Sequence, residues 1–286
     1  SRPVGALTGK AVYLNPGHGW DWRESDYWGL QRGFVQNNIE DFSNVELINQ
    51  WLWAYCYNAG ADVFSCRELD FNTNMVIVDN DDGWDGSKGY YETGSGWFNS
   101  TLKGFANGYI PYLSGADPFS SGTNRLVQCV VGTPTASARW VPQIPASGWY
   151  NVYVSHGAFS NRSPQAHYRI YHAGGVTETT IDQRMRRFTW IYLGTFYFEA
   201  GVDAQHASVE LLNDSSSTSH YVSADAVRFG GGMGLISRGT AGTSGKPRFE
   251  EEARYHIQFS GAPTSVYDSS SSDQADGWSG RPKFGR

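Results

Sequence analysis

The chain is short of charge, of cysteine and of long hydrophobic runs, and each shortage narrows what the protein can be. No apolar stretch approaches the ~20 residues that a helix needs to cross a bilayer, so no membrane span is expected, and no signal peptide is visible. Basic residues are outnumbered 22 to 28, for a net charge of −6. That balance argues against nucleic acid or an anionic membrane as the main partner, since both require a basic face. Three cysteines, Cys56, Cys66 and Cys129, cannot all pair within one chain, and a Cys56–Cys66 bridge and simple buried thiols both remain open.

Aromatic and small residues fill the space that charge leaves. Charged residues make up 17% of the chain and aromatics 15%, with 11 Trp, 17 Tyr and 34 Gly. This composition fits a secreted β-rich protein, with exposed rings suited to sugar faces. At 286 residues there is room for two domains, each with its own core.

The most informative stretch is Ala11-Val12-Tyr13-Leu14-Asn15-Pro16-Gly17-His18-Gly19-Trp20. Four β-favouring residues read as a buried strand, and Pro16-Gly17 halts it so that His18 is presented at the strand end. A glycine on each side would let a metal ion or a substrate amide approach the imidazole. Taken alone, His18 also reads as an ordinary turn histidine. Downstream, Phe42, Val45, Ile48, Leu52, Tyr55 and Ala59 recur at three- and four-residue steps, which predicts a helix over 42–59 with Glu40 at its mouth and Gly60 as its left-handed cap. A strand over 61–65 completes a βαβ order, so parallel pairing with 11–14 is expected, with ligands bound beyond the strands' carboxyl ends.

Strand, Asn15-Pro16-Gly17-His18-Gly19, a glycine-containing loop, Glu40 at a helix start, Asn58-Ala59-Gly60-Ala61-Asp62-Val63 and Cys66-Arg67-Glu68-Leu69-Asp70 together resemble the zinc-dependent N-acetylmuramoyl-L-alanine amidases of the Amidase_3 type. The resemblance implies Zn2+ as cofactor, with His18 and Glu40 as two of three protein ligands. It implies peptidoglycan, or another glycan, as partner, and hydrolysis of the amide between N-acetylmuramic acid and L-alanine. The family's third histidine and its catalytic glutamate find no counterpart here, so the general base is expected outside this chain. Trp20, Trp22 and Arg67 are the candidate substrate-binding residues; the aromatic loop of Trp20, Trp22, Tyr27 and Trp28 either lines a groove for a glycan or folds back over the core.

From Met75 the helical period gives way to short alternating runs over 139–141, 148–155, 166–171, 189–198, 207–212 and 221–229, which predict an antiparallel sandwich. Val76-Ile77-Val78-Asp79-Asn80, Ala138-Arg139-Trp140-Val141-Pro142, Gly148-Trp149-Tyr150-Asn151-Val152-Tyr153-Val154 and Ala224-Asp225-Ala226-Val227-Arg228 are similar to the golvesin C-terminal domain, an accessory module. An Asp225–Arg228 ion pair is expected as a support of the last strand. The scattered histidines of this block, His156 among them, lack metal-site spacing and read as structural.

Beyond Gly230-Gly231-Gly232, the segment from Pro247 to Phe259 reads as a helix with an acidic first turn, and 268–286 reads as a Ser-, Asp- and Gly-rich loop. The expected architecture is an α/β amidase domain, a mostly parallel twisted sheet with flanking helices, split into 1–74 and 233–286 by an all-β antiparallel sandwich over 75–232. The two amidase pieces are short for an independent hydrolase domain. The chain therefore reads as the N-terminal part of a processed enzyme, with a C-terminal companion polypeptide completing the sheet. The opposing expectation is a non-catalytic cell-wall-binding or extracellular structural protein with a degenerate amidase domain.

Overall fold

Strand pairing and packing separate the chain into two units. The computed structural model describes residues 3–82, 89–106, 108 and 110–286. One unit comprises Asn74–Asn107 and Pro118–Gly230; the other comprises Arg2–Thr73, Gly108–Asp117 and Gly231–Arg286.

The first unit is built from antiparallel sheets. One sheet orders Gly175–Ile181, Ala166–His172, Ser208–Leu212, Ser137–Trp140 and Tyr90–Thr93 side by side. A second orders Ile191–Phe198, Gly148–Val154, Val227–Phe229 and Val76–Val78, and a third Tyr221–Ala224, Gly122–Gln128 and Phe98–Gly104. Alternation carries these strands: Ala166, Tyr168 and Ile170 are buried, and the residues between them are half-buried. In the Gly148–Val154 strand the alternation fails, because Val152, Tyr153 and Val154 are all buried. Tyr153 faces the Arg228 guanidinium, 3.9 Å from its ring centroid.

The expected 221–229 strand is two strands in two sheets, Tyr221–Ala224 and Val227–Phe229. The break is at Asp225, whose carboxyl is fully buried and accepts the Ser155 hydroxyl at 2.5 Å and the Phe105 N–H at 3.0 Å. These contacts take the place of the expected pair with Arg228. Burial pushes the Asp225 carboxyl up to about 8.

In the second unit Ala11–Leu14 pairs parallel with Asp62–Ser65, in the register Ala11 to Asp62. The expectation of a mostly parallel twisted sheet is corrected here: among the described residues this sheet has two strands, and Tyr112–Leu113 with Ile236–Ser237 forms another parallel pair. Antiparallel hairpins occupy the chain between strand and helix, Trp20–Arg23 with Tyr27–Leu30 and Phe34–Val35 with Asn38–Ile39. Gln36 and Asn37 form the two-residue turn of the latter with φ of 49° and 62°, as such turns demand.

The helix runs from Glu40 to Asn58 but widens to π geometry over Glu46–Leu52. This shifts the buried face. Asp41, Val45, Asn49 and Trp53 point inward, whereas Leu52 and Tyr55, expected inside, are exposed. The predicted 247–259 helix is a single 3₁₀ turn, Arg248–Glu250, followed by extended backbone at Glu251 and a helix over Ala253–Phe259. The expected C-terminal loop is a helix, Asp273–Phe284, capped by the Ser272 hydroxyl accepting from the Ala275 N–H at 3.3 Å. Acidic residues in its first turn and Arg281 and Lys283 in its last match the helix dipole. All three cysteines are free thiols. No helix is long and apolar enough to cross a membrane among the described residues.

Candidate functional site

His18 and Glu40 meet at the end of the Ala11–Leu14 strand. His18 Nε2 lies 3.3 Å from Glu40 Oε1, the imidazole largely covered and the carboxylate half-exposed. Local backbone explains the placement. His18 itself adopts φ 61°, a left-handed conformation uncommon outside glycine. Gly19 is required for a different reason than ligand access. A Cβ there would lie 2.7 Å from the Glu250 carbonyl oxygen and 2.8 Å from the Glu252 nitrogen, so the Glu250–Glu252 backbone is what approaches. Glu40 opens the helix directly after the Phe34–Ile39 hairpin, which delivers it opposite His18.

The other face of the imidazole meets an amide. His18 Nδ1 lies 2.7 Å from Gln31 Oε1, which also accepts the Trp278 indole N–H at 3.2 Å. Gln31 Nε2 donates to Glu252 Oε1 at 2.6 Å and Asp21 Oδ2 at 3.2 Å. Asp41 fixes this residue from behind, accepting the backbone N–H of Gln31 at 2.9 Å and of Arg32 at 3.2 Å. Asp21 and Glu252 are both fully buried. Burial raises Asp21 to about 6, and burial with the Asp21 charge beside it raises Glu252 well above the usual carboxylate range. Sequence reasoning missed Gln31, Asp21 and Glu252. The Glu250-Glu251-Glu252 run has the pattern of an exposed helix start, yet Glu251 and Glu252 are buried.

The three residues expected to touch substrate each make contacts within their own unit. Trp20 donates its indole N–H to Glu250 Oε2 at 3.1 Å beneath the Lys246 ammonium. Trp22 donates to Asp26 Oδ1 at 3.2 Å and carries the Arg238 guanidinium over its ring. Trp20, Trp22 and Trp28 are thus half-buried in their own unit, whereas Tyr27 is exposed. Arg67 is fully buried and donates to three backbone carbonyls, Gly17 at 3.0 Å, Asp41 at 2.9 Å and Phe249 at 2.7 Å. It braces the His18 turn against the start of the Glu40 helix and has no face left for a substrate.

The donor set of an imidazole and a carboxylate suits zinc. Among the described residues, however, no group of three His, Cys, Asp or Glu side chains is arranged to hold a metal ion.

The sandwich unit holds a second candidate. An open cleft of about 650 Å³ is lined by Asp81, Glu92, Trp97, Asn99, Thr123 and Arg125, among others. Arg125 donates to Glu92 through Nε and Nη2 and to Asn99 Oδ1 through Nη1 at 2.5 Å. Asp81 accepts the Thr123 N–H at 2.6 Å and hydroxyl at 2.5 Å. Trp97 is half-buried, its ring fixed by an indole N–H donated to the Thr93 carbonyl at 3.0 Å. The lining pairs one aromatic face with a fan of amide, hydroxyl, carboxylate and guanidinium groups, a combination that can hold a polyhydroxylated ligand. The only trace of it in the sequence is the Gly94-Ser95-Gly96-Trp97 turn, where both glycines take positive φ.

Comparison with known proteins identifies a known domain lying mostly in the antiparallel unit. Residues 115–231 form a golvesin C-terminal domain. The chain is 38% identical over 109 residues to the xanthan lyase of Bacillus sp. (strain GL1), covering 38% of this chain and 11% of that protein. The chain thus spans about a tenth of the length of that curated relative. Among solved structures, a Paenibacillus xanthan lyase is similar with TM-score 0.43 and 26% identity, over 55% of this chain and 13% of that one. A family 35 carbohydrate binding module from Clostridium thermocellum is similar with TM-score 0.33 and 15% identity, over 55% of this chain and 97% of that one. The family match leaves His18 and Glu40 outside it.

Proposed function

We propose that this chain is an extracellular glycan-binding protein whose antiparallel β unit, which holds most of the golvesin-type residues 115–231 together with the strands before them, carries the binding. The observation that supports the reading is the sandwich cleft, where Trp97 and the Arg125–Glu92–Asn99 network present a ring face and fixed polar groups side by side. The shared domain in xanthan lyase, a protein named for its action on a polysaccharide, points the same way. Sequestration of the chain on insoluble peptidoglycan and on cell-wall or exopolysaccharide preparations tests it. Retention should fall at least tenfold in Trp97→Ala. Equal passage of wild type through every polysaccharide, or unchanged retention of the variant, would refute the reading.

The His18–Glu40 contact favours a second reading, a zinc-dependent N-acetylmuramoyl-L-alanine amidase in which this chain supplies two ligands and a companion polypeptide the third and the general base. Bound zinc would polarise the scissile carbonyl and lower the pKa of its water to about 7. The residues of this chain would hold the ion and brace the turn that carries His18. Stoichiometric zinc in the wild type, lost in His18→Ala and in Glu40→Ala, together with release of stem peptides from peptidoglycan, is the expected result; a zinc-free protein that leaves peptidoglycan intact removes the reading.

A further inference from the structure

We propose that Gln31 is a positioning residue: it holds His18 as the Nδ1–H tautomer and so leaves the Nε2 lone pair facing Glu40, ready to accept a divalent cation. The inference goes beyond glycan binding and depends on the zinc reading only in its metal arm.

The orientation of the Gln31 amide decides the tautomer, and four neighbours decide the orientation. On one side sits the Trp278 indole N–H, which can only donate, 3.2 Å from the Gln31 oxygen. On the other side sit two carboxyl groups, Glu252 Oε1 at 2.6 Å and Asp21 Oδ2 at 3.2 Å, where an NH₂ satisfies both. Rotating the amide by half a turn would set its NH₂ against the indole N–H and its oxygen against Asp21. The oxygen therefore faces His18 Nδ1 at 2.7 Å, and a hydrogen bond of that length to a carbonyl oxygen requires a proton on Nδ1.

A neutral imidazole carries one N–H. With that proton on Nδ1, Nε2 is an acceptor, and 3.3 Å away stands another acceptor, the Glu40 carboxylate. Two acceptors at this distance repel unless something positive lies between them. A second ring proton supplies that charge in the imidazolium; in the neutral ring a cation can supply it, and an imidazole nitrogen with a carboxylate suits a divalent first-row ion such as zinc. Amides and carboxylates that fix a ligating histidine in this way contribute about 10- to 100-fold in metal affinity.

Gln31 is itself held by the chain: Asp41 accepts its backbone N–H, and residue 277 is glycine because a Cβ there would run into the Glu252 carboxylate that Gln31 contacts. Trp278, next to it, supplies the donor that sets the amide. Three segments far apart in sequence converge on one amide side chain whose outer end touches only His18 and these partners.

Two-bond ¹H–¹⁵N spectra of the imidazoles, with His18 assigned by His18→Ala and recorded where the ring is neutral, read the tautomer directly. The wild type should show a protonated Nδ1 and an unprotonated Nε2. Gln31→Leu should move the proton to Nε2, where Glu40 accepts it, and weaken zinc binding measured by calorimetry about 10- to 100-fold. Trp278→Phe should shift the tautomer ratio in the same direction. A wild-type Nε2–H ring overturns the proposal whether or not any variant folds, as does an unchanged tautomer in folded Gln31→Leu. A wild type with the Nδ1–H ring that fails to bind zinc, manganese or cobalt saturably overturns it as a cation receptor. Zinc bound as expected with no stem peptides released would sink the amidase reading alone.

Discussion

Glu92 receives the Arg125 guanidinium on both carboxylate oxygens, Nε on Oε1 at 2.6 Å and Nη2 on Oε2 at 2.9 Å. The pair is mostly covered, the arginine side chain 19% exposed and the glutamate 8%. The planar fork matches the carboxylate in a way an ammonium does not. Arg125→Lys should therefore keep the charge yet lose most of the glycan retention, through loss of the fixed Asn99 contact. Arg125→Leu should in addition lower stability by about 1–3 kcal/mol, because the covered Glu92 carboxylate keeps only the Tyr90 hydroxyl as donor. Urea unfolding beside polysaccharide retention separates the two effects; a fully stable Arg125→Leu would count against the pair.

Arg67→Met removes a buried guanidinium that serves three carbonyls, and each carbonyl then faces an apolar chain. Lost hydrogen bonds to a charged donor contribute about 1.5–3 kcal/mol each at most, and partial relaxation reduces the sum, so a loss of about 3–5 kcal/mol is expected in chemical denaturation. Amide exchange should quicken first around Gly17 and Asp41. A variant with wild-type unfolding would show that the brace is dispensable.

His156 is fully buried, and neither ring nitrogen has a hydrogen-bond partner among the described residues. Burial, with the Arg162 charge adding to it, depresses the ring to about 3. Its ordinary value in an unfolded chain is about 6.5. The unfolded chain therefore takes up a proton below about pH 6.5 that the folded chain refuses until about pH 3, and stability falls as the pH drops through that window, by up to about 1.4 kcal/mol per pH unit. His156→Phe has nothing to protonate there. Asp225, raised to about 8, acts in the opposite sense and is common to both proteins, so it cancels in the difference. Unfolding free energies at pH 7 and pH 4.5 should diverge between wild type and variant only at the lower pH; parallel curves would show that His156 is solvated.

Gly277→Ala should lower stability, since the added methyl meets the buried Glu252 carboxylate and forces it away from Gln31. Gly285→Ala, where a Cβ would sit 3.2 Å from the Tyr13 side chain near the end of the same helix, is the comparison and should cost under about 1 kcal/mol. Equal thermal midpoints for the two would contradict the packing described at Gly277.

The sandwich strands were largely legible because alternation and turn residues are local signals, and the 148–155 and 166–171 runs match the observed strands to within a residue. The 221–229 run misled because its break depends on one buried carboxyl, Asp225, whose partners Ser155 and Phe105 are 70 and 120 residues away. The C-terminal helix was hidden by its own composition. Gly277 and Gly280 look like loop residues, yet both are buried in the helix. At the candidate site the motif made His18 and Glu40 visible, and the structure brings them together. Gln31 and Glu252 were invisible because an amide and a glutamate in an acidic run carry no signal until the fold buries them. The bracing role of Arg67, read in the sequence as a candidate substrate-binding residue, was hidden because its partners are backbone atoms, which leave no mark in sequence.

The Phe249 carbonyl that receives Arg67 lies 182 residues further along the chain. During synthesis, a cation destined for complete burial has to wait in water until that carbonyl emerges, by which time the whole intervening β domain has left the ribosome. The stretch bearing His18 and Glu40 is thus translated well before the residues that lock it, and a truncated product ending ahead of Phe249 would display the motif without the shape that gives it meaning.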